Sequence, residues 1–260
     1  MRRVLSAVLP VAMLLTACGG GGGAGDGSGE PATHELTVSA GSSLTDAFSD
    51  IGNAFKRDHP GVRVSFNFGA SDTLAGQINE GAPVDVFASA SPTWMDSVQK
   101  DGPGVSDRTD FVRNKLAIIV PTENAAGIRR LDDLARDGVK LVLAAEGVPA
   151  GDYAREILDN AGIADAAMAN VVSNEEDVRA VVTKVLSGDA DAGITYVTDV
   201  TPDVAEGITL VPIPDDQNVI ATYPIAVVSG SEEADLARQF VEYVLADGQQ
   251  TLARYGFLPA

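Results

Sequence analysis

One cysteine in 260 residues, Cys18, excludes an internal disulfide framework and any zinc site built on a cysteine cluster. Two histidines, His34 and His59, leave little material for histidine-based catalysis or a metal centre. Cations are scarce too: 18 Lys and Arg stand against 37 Asp and Glu, a formal charge of −19. A surface of that sign repels nucleic-acid phosphates at long range, so no nucleic-acid partner is expected. There is no Walker-type Gly-Lys-Ser/Thr sequence, and no Gly-x-Gly-x-x-Gly follows the first strand pattern. What is present is an ordinary globular mixture, 45% hydrophobic and 21% charged, which excludes wholesale disorder.

The chain starts with Arg2 and Arg3 and an apolar run from Val4 to Leu15, too short for the ~20 residues of a membrane span. It reads as a secretory leader. Its ending, Leu15-Thr16-Ala17-Cys18, resembles a bacterial lipobox, which implies acylation of Cys18 and a lipid anchor there. Residues 1–18 are therefore expected to be the leader and 19–33 a flexible tether. Gly, Ala, Asp and Ser make up the tract from Gly19 to Gly29 and cannot bury a core. Such a tract reaches on the order of 20 Å. The reading is a protein held at the outer face of a membrane.

Beyond the tether, apolar periodicity alternates between two and 3.6 residues. Leu36, Val38 and Ala40 predict a strand; Leu44, Ala47, Phe48, Ile51 and Phe55 predict a helix; Val62, Val64, Phe66 and Phe68 predict a second strand. Ser43 and Asp46 have the spacing of a capping box, with Asp in place of Glu. This βαβ unit and its successors imply an α/β body. Further strands are expected at Val84–Ala88, Lys115–Val120, Lys140–Ala145, Ala192–Val197, Ile208–Ile213 and Val219–Val228. Helices are expected near 71–80, 151–161, 175–186 and 234–245, with a shorter one through Leu252.

Catalytic groups are not evident. His59, between Asp58 and Pro60, reads as an exposed turn residue, and His34 lies at the tether junction. Glu175-Glu176-Asp177 and Asp215-Asp216 lack the spacing of a calcium loop and read as solvated or helix-end charge. Trp94 and Tyr153 read as core. More suggestive are small residues at helix starts, Ser43, Ser71, Ala150 and Val178, where unpaired N–H groups and the helix dipole favour an anion. Spacing alone does not bring them together.

A resemblance does. The chain from about Leu36 to Pro259 resembles the extracytoplasmic molybdate-binding proteins of bacterial ABC importers. The similarity is carried by Ala40-Gly41-Ser42-Ser43-Leu44-Thr45-Asp46, Phe68-Gly69-Ala70-Ser71, Gly81-Ala82-Pro83-Val84-Asp85, Val148-Pro149-Ala150-Gly151-Asp152-Tyr153, Glu176-Asp177-Val178-Arg179, Gly193-Ile194-Thr195-Tyr196, Tyr223-Pro224-Ile225 and Arg254-Tyr255-Gly256-Phe257. It implies a two-lobed, periplasmic-binding-protein-like α/β fold with two interlobe crossovers and the ligand in the cleft. Lobe 1 would comprise 34–113 plus 224–260, and lobe 2 would comprise 114–223. It implies no enzyme and no cofactor, but a monomer that binds molybdate or tungstate and meets the permease subunits of an ABC importer.

The oxyanion site implied by the resemblance falls on Ser43, Ser71, Ala150, Val178 and Tyr196. These residues would hold molybdenum as its oxyanion, without direct metal ligands. Ser43 and Ser71 would donate from hydroxyl and backbone, Ala150 and Val178 from backbone alone, and Tyr196 from its phenol. A set of donors without an acceptor suits a fully deprotonated dianion and penalises monohydrogen phosphate, whose proton finds no partner. Asp72 departs from the expected pattern: a carboxylate beside Ser71 must either point away or weaken the site.

Overall fold

The computed structural model describes residues 34–260. The expected leader, Cys18 and the Gly-rich tether lie outside the described residues. Leu36, Val38 and Ala40 are fully buried on β1 (His34–Gly41). β1 pairs in parallel with β2 (Val62–Gly69) on one side and β3 (Val86–Ala88) on the other. Between β1 and β2 runs α1 (Thr45–Asp58), whose Ala47, Phe48, Ile51 and Phe55 turn inward at helical spacing. α2 (Ser71–Asn79) joins β2 to β3.

One half of the molecule is built on this sheet, extended by β9 (Ile220–Val228) antiparallel to β3 and by the first part of β4 (Val105–Pro121). The second half is a sheet in which β5 (Leu141–Ala144) lies parallel to β6 (Val171–Glu175) and β7 (Ala192–Tyr196). β7 and β8 (Ile208–Pro212) pair with the far part of β4. β4 thus belongs to both sheets: it pairs with β9 as far as Lys115 and with β7 from Leu116 onward. β4 and β9 are the two strands on which the chain passes between the halves.

Helices cover both faces of the first sheet. Phe48, Phe55, Phe66, Phe111 and Phe240 form an aromatic cluster on one face, under α1 and α7 (Ala234–Leu245). On the other face, α2 and α3 (Pro92–Asp101) bury Leu74, Ile78, Met95 and Val98 against Phe87 and Ala226. Each such apolar side chain taken from water contributes about 1.5–3 kcal/mol. In the second half, α4 (Pro149–Asn160) and α6 (Val178–Leu186) pack on β5 and β7. α5 (Ala164–Ala169), α8 (Gly248–Arg254) and the short β10 (Leu258–Pro259), paired with β4, complete the order. Among the described residues no helix is long and apolar enough to cross a membrane.

Several local readings of the sequence need correction. Ser43 does not cap a helix: Ser42–Leu44 is a 3-10 turn ahead of α1, without a side-chain cap. Asp46 pairs instead with Arg179 of α6. His59 is half-buried rather than solvated, its ring stacked on Phe55 at 3.9 Å and its Nδ1 3.0 Å from the Phe55 carbonyl. β4 begins ten residues before the expected strand at Lys115. Helices α3 and α5 and strands β6 and β10 have no counterpart among the expected elements.

Candidate functional site

The parallel strands of both sheets point their carboxyl ends at one small cavity. Such ends are where open α/β sheets bind ligands, because the turns leaving them present helix N-termini. The cavity is tight, and its walls include Ser43, Ser71, Ala150, Val178 and Tyr196. All five residues singled out from the sequence therefore line one cavity. Gly41, Gly69, Ala70, Ala90, Val148 and Pro149 complete the wall with small or apolar groups, together with Ser42, which also carries a hydroxyl. No Lys, Arg, Asp or Glu lines it.

Each candidate donor is presented by a local device. Ser71 is the first residue of α2, after the extended Ala70. Its Oγ accepts from the Ala90 N–H at 3.0 Å, so its own proton is left to point into the cavity. Pro149 opens α4 and has no N–H, which makes the amide of Ala150 the first one free of the helix ladder. Asp177 caps α6 by accepting from Ala180 N, which leaves the Val178 amide at the helix mouth. Two helix N-termini from the second half thus face α2 and the Ser42–Leu44 turn from the first.

Tyr196 ends β7 and is almost wholly buried, yet its hydroxyl has no hydrogen-bond partner among the described residues. Leaving such a group unpaired costs about 1–3 kcal/mol, and here it does so at the cavity wall. Burial raises its pKa well above the ordinary phenol value, with Tyr223 beside it adding to the shift. The group is a donor throughout the physiological range. Asp72 does not line the cavity and lies instead on the side of Gly147.

The two halves also touch directly beside the cavity. Trp94, partly buried against the α2–α3 core, also bridges the halves: its Nε1 donates to the Gly147 carbonyl ahead of α4 at 2.8 Å. Arg179 Nε donates to the Ser42 carbonyl at 3.3 Å while its guanidinium pairs with Asp46.

Behind Tyr196 sits Asp199, which sequence reasoning missed. Its Oδ2 accepts from the Tyr196 N–H at 2.9 Å and from the Thr195 hydroxyl. Burial pushes its pKa up to about 7, against the opposing pull of those two hydrogen bonds and of the Arg179 charge, while Asp177 adds to the rise. The folded protein therefore holds a proton that the unfolded chain releases near pH 4. Between about pH 4 and about pH 7 the folded state binds more protons, so this group lowers stability as pH rises, by at most ~4 kcal/mol. Asp199→Asn should remove that slope. Urea unfolding of both proteins at pH 5 and pH 8 checks it: the stability of the native protein relative to the variant should be lower at pH 8. A constant difference would show that Asp199 does not titrate in this window.

Comparison with known proteins fits the geometry. The family described as bacterial extracellular solute-binding protein matches residues 36–258. The molybdate-binding protein ModA of Mycobacterium tuberculosis (strain H37Rv) is 40% identical over 258 residues, covering 97% of each chain. The structure of the Azotobacter vinelandii periplasmic molybdate-binding protein superposes with a TM-score of 0.73 at 19% identity, covering 86% of this chain and 99% of that one. The sulfate-binding protein SubI of Mycobacterium tuberculosis superposes at 0.77 with 20% identity, covering 87% of each. At such low identity these two structures establish the shared two-lobed fold alone. A cavity of donors at the strand ends, two α/β halves on a pair of crossing strands and a match along nearly the whole chain agree: this chain belongs to the bacterial extracellular solute-binding proteins, in the branch that holds the molybdate-binding ModA proteins, and is not an enzyme.

Proposed function

We propose that this protein captures molybdate, and tungstate with it, outside the cytoplasm and delivers it to the permease subunits of an ABC importer. The observation that carries the reading is the donor-only cavity, with the unpartnered Tyr196 hydroxyl at its wall. Ser43, Ser71, Ala150, Val178 and Tyr196 are the binding residues. Ser43 and Ser71 come from lobe 1, residues 34–113 with 224–260; the other three come from lobe 2, residues 114–223. The anion completes both sets of donors only when the lobes meet around it, so binding favours closure. A monomer tethered by acylated Cys18 would present the closed form to the permease.

The overall charge of −19 opposes a dianion at a distance. At physiological salt the Debye length is about 8 Å, so remote carboxylates are screened while donors in contact are not. Monohydrogen phosphate would leave its proton unpaired, and sulfate, smaller than molybdate, would leave donors out of reach.

Calorimetric titration with molybdate, tungstate, sulfate and phosphate tests the proposal. Molybdate and tungstate should bind tightly at 1:1, with sulfate and phosphate far weaker. Ser71→Ala should weaken molybdate binding about 10- to 150-fold, the worth of one hydrogen bond to a charged acceptor. Sulfate binding as tightly as molybdate would keep the fold and change the ligand. Silence with all four would overturn the site.

A further inference from the structure

Ser43 contributes a hydroxyl to the cavity, and a hydroxyl can either donate or accept. Its direction is set by a chain of hydrogen bonds that starts at a backbone amide. Asn114 is fully buried on β4, next to the position where that strand passes between the sheets. The Lys115 N–H donates to Asn114 Oδ1 at 2.9 Å. A backbone amide can only donate, so this contact fixes the carboxamide oxygen toward Lys115 and turns Nδ2 the other way. The two Nδ2 hydrogens go to Thr198 Oγ1 at 2.8 Å and to the Tyr223 phenol oxygen at 3.4 Å.

Tyr223 lies on β9, the other crossing strand, and is also fully buried. Either oxygen of the Tyr223–Ser43 pair, 2.9 Å apart, could donate, but the buried Tyr223 proton needs an acceptor, and of its two hydrogen-bonded partners Asn114 Nδ2 can only donate, so the proton goes to Ser43 Oγ. Ser43 then accepts from Tyr223 and keeps its own proton for the cavity. Neither Asn114 nor Tyr223 lines the cavity.

We infer that Asn114 and Tyr223 make Ser43 an obligate donor and thereby set the discrimination against oxyanions that carry a proton. The inference rests on the oxyanion site proposed above. Both are positioning residues, acting on the ligand through the hydroxyl of Ser43. Without Tyr223's proton, the Ser43 hydroxyl is free to turn a lone pair toward the cavity and satisfy the P–OH of monohydrogen phosphate. A carboxylate at position 114 would go further. It would take the Tyr223 proton for itself, so that Ser43 donates backward and offers only lone pairs to the anion.

The experiment measures the affinity for molybdate and, by competition, for phosphate in wild type, Tyr223→Phe and Asn114→Asp, at mildly alkaline pH. Circular dichroism checks that each variant is folded. Tyr223→Phe should weaken molybdate by about tenfold and narrow the molybdate-to-phosphate ratio by at least about tenfold, as expected for reversing or freeing one hydrogen bond. Asn114→Asp should narrow the ratio further. A merely structural role would weaken both anions together and leave the ratio alone, and that outcome overturns the inference. Should Asn114→Asp fail to fold, the nearly isosteric Tyr223→Phe decides alone. Failure of the underlying site is read separately, from wild type: if it binds none of the anions, the site falls and this inference with it.

Discussion

Tyr196→Phe should make the unliganded protein more stable and its molybdate binding weaker. The hydroxyl is buried without a hydrogen-bond partner among the described residues, while the ring packs against Tyr223 at 5.7 Å. Phe keeps the ring and removes the unpaired group, which recovers about 1–3 kcal/mol. For a body of this size the thermal midpoint should rise by roughly 2–4 °C for each of those kilocalories. The same oxygen is a proposed donor to a dianion, so its loss should cost about 1.5–3 kcal/mol of binding, roughly 10- to 150-fold in affinity. Opposite signs for stability and binding identify a group kept for its ligand. Calorimetry with and without molybdate measures both. A variant that is less stable and binds as tightly as wild type would place the hydroxyl outside the site.

Gly151→Ala should have the largest effect on folding. Gly151 follows Ala150 in the first turn of α4, packed onto the end of β5. A Cβ there would lie 2.2 Å from the Ala145 carbonyl oxygen and 2.5 Å from that of Ala144. Both are backbone atoms with no side-chain rotation to yield, so the helix start must move off the strand. We expect a loss of about 3 kcal/mol or more, a fall in thermal midpoint of roughly 10 °C, and weaker molybdate binding as the Ala150 amide is displaced. Gly76→Ala, inside α2, is the control: nothing lies within 4 Å of its added Cβ, and the helix should gain ~0.5–1 kcal/mol. Equal midpoints for Gly151→Ala and wild type would refute the close approach.

The sequence reveals the strands and helices whose one apolar face meets the core. The alternation of Leu36, Val38 and Ala40 and the spacing of Phe48, Ile51 and Phe55 state burial directly, and those elements form. β4 hides its first half because residues from Val105 to Asp110 are largely exposed, Asp107 takes a positive φ of 55°, and two irregularities break the register with β9. No alternation survives there. α3 escaped notice because only Met95 and Val98 are buried along it; Ser91 as cap and Pro92 as first residue were its available signals. The misread Ser43 has a different cause. Its hydroxyl bonds to Tyr223, 180 positions away, and local spacing contains nothing of that partner. The cavity itself is of the same kind: five residues from five turns share one wall because the sheets bring their ends together. Only the resemblance to a family could anticipate that.

Trp94 is the single tryptophan of the chain, and its indole N–H is bonded from one half to the Gly147 carbonyl of the other. Ultraviolet emission excited at the indole band therefore has one source, located at the seam beside the cavity. Separation of the halves would trade a carbonyl partner for water at that one chromophore. The protein would thus carry an intrinsic optical gauge of the closure proposed for it, with no second tryptophan to dilute the signal.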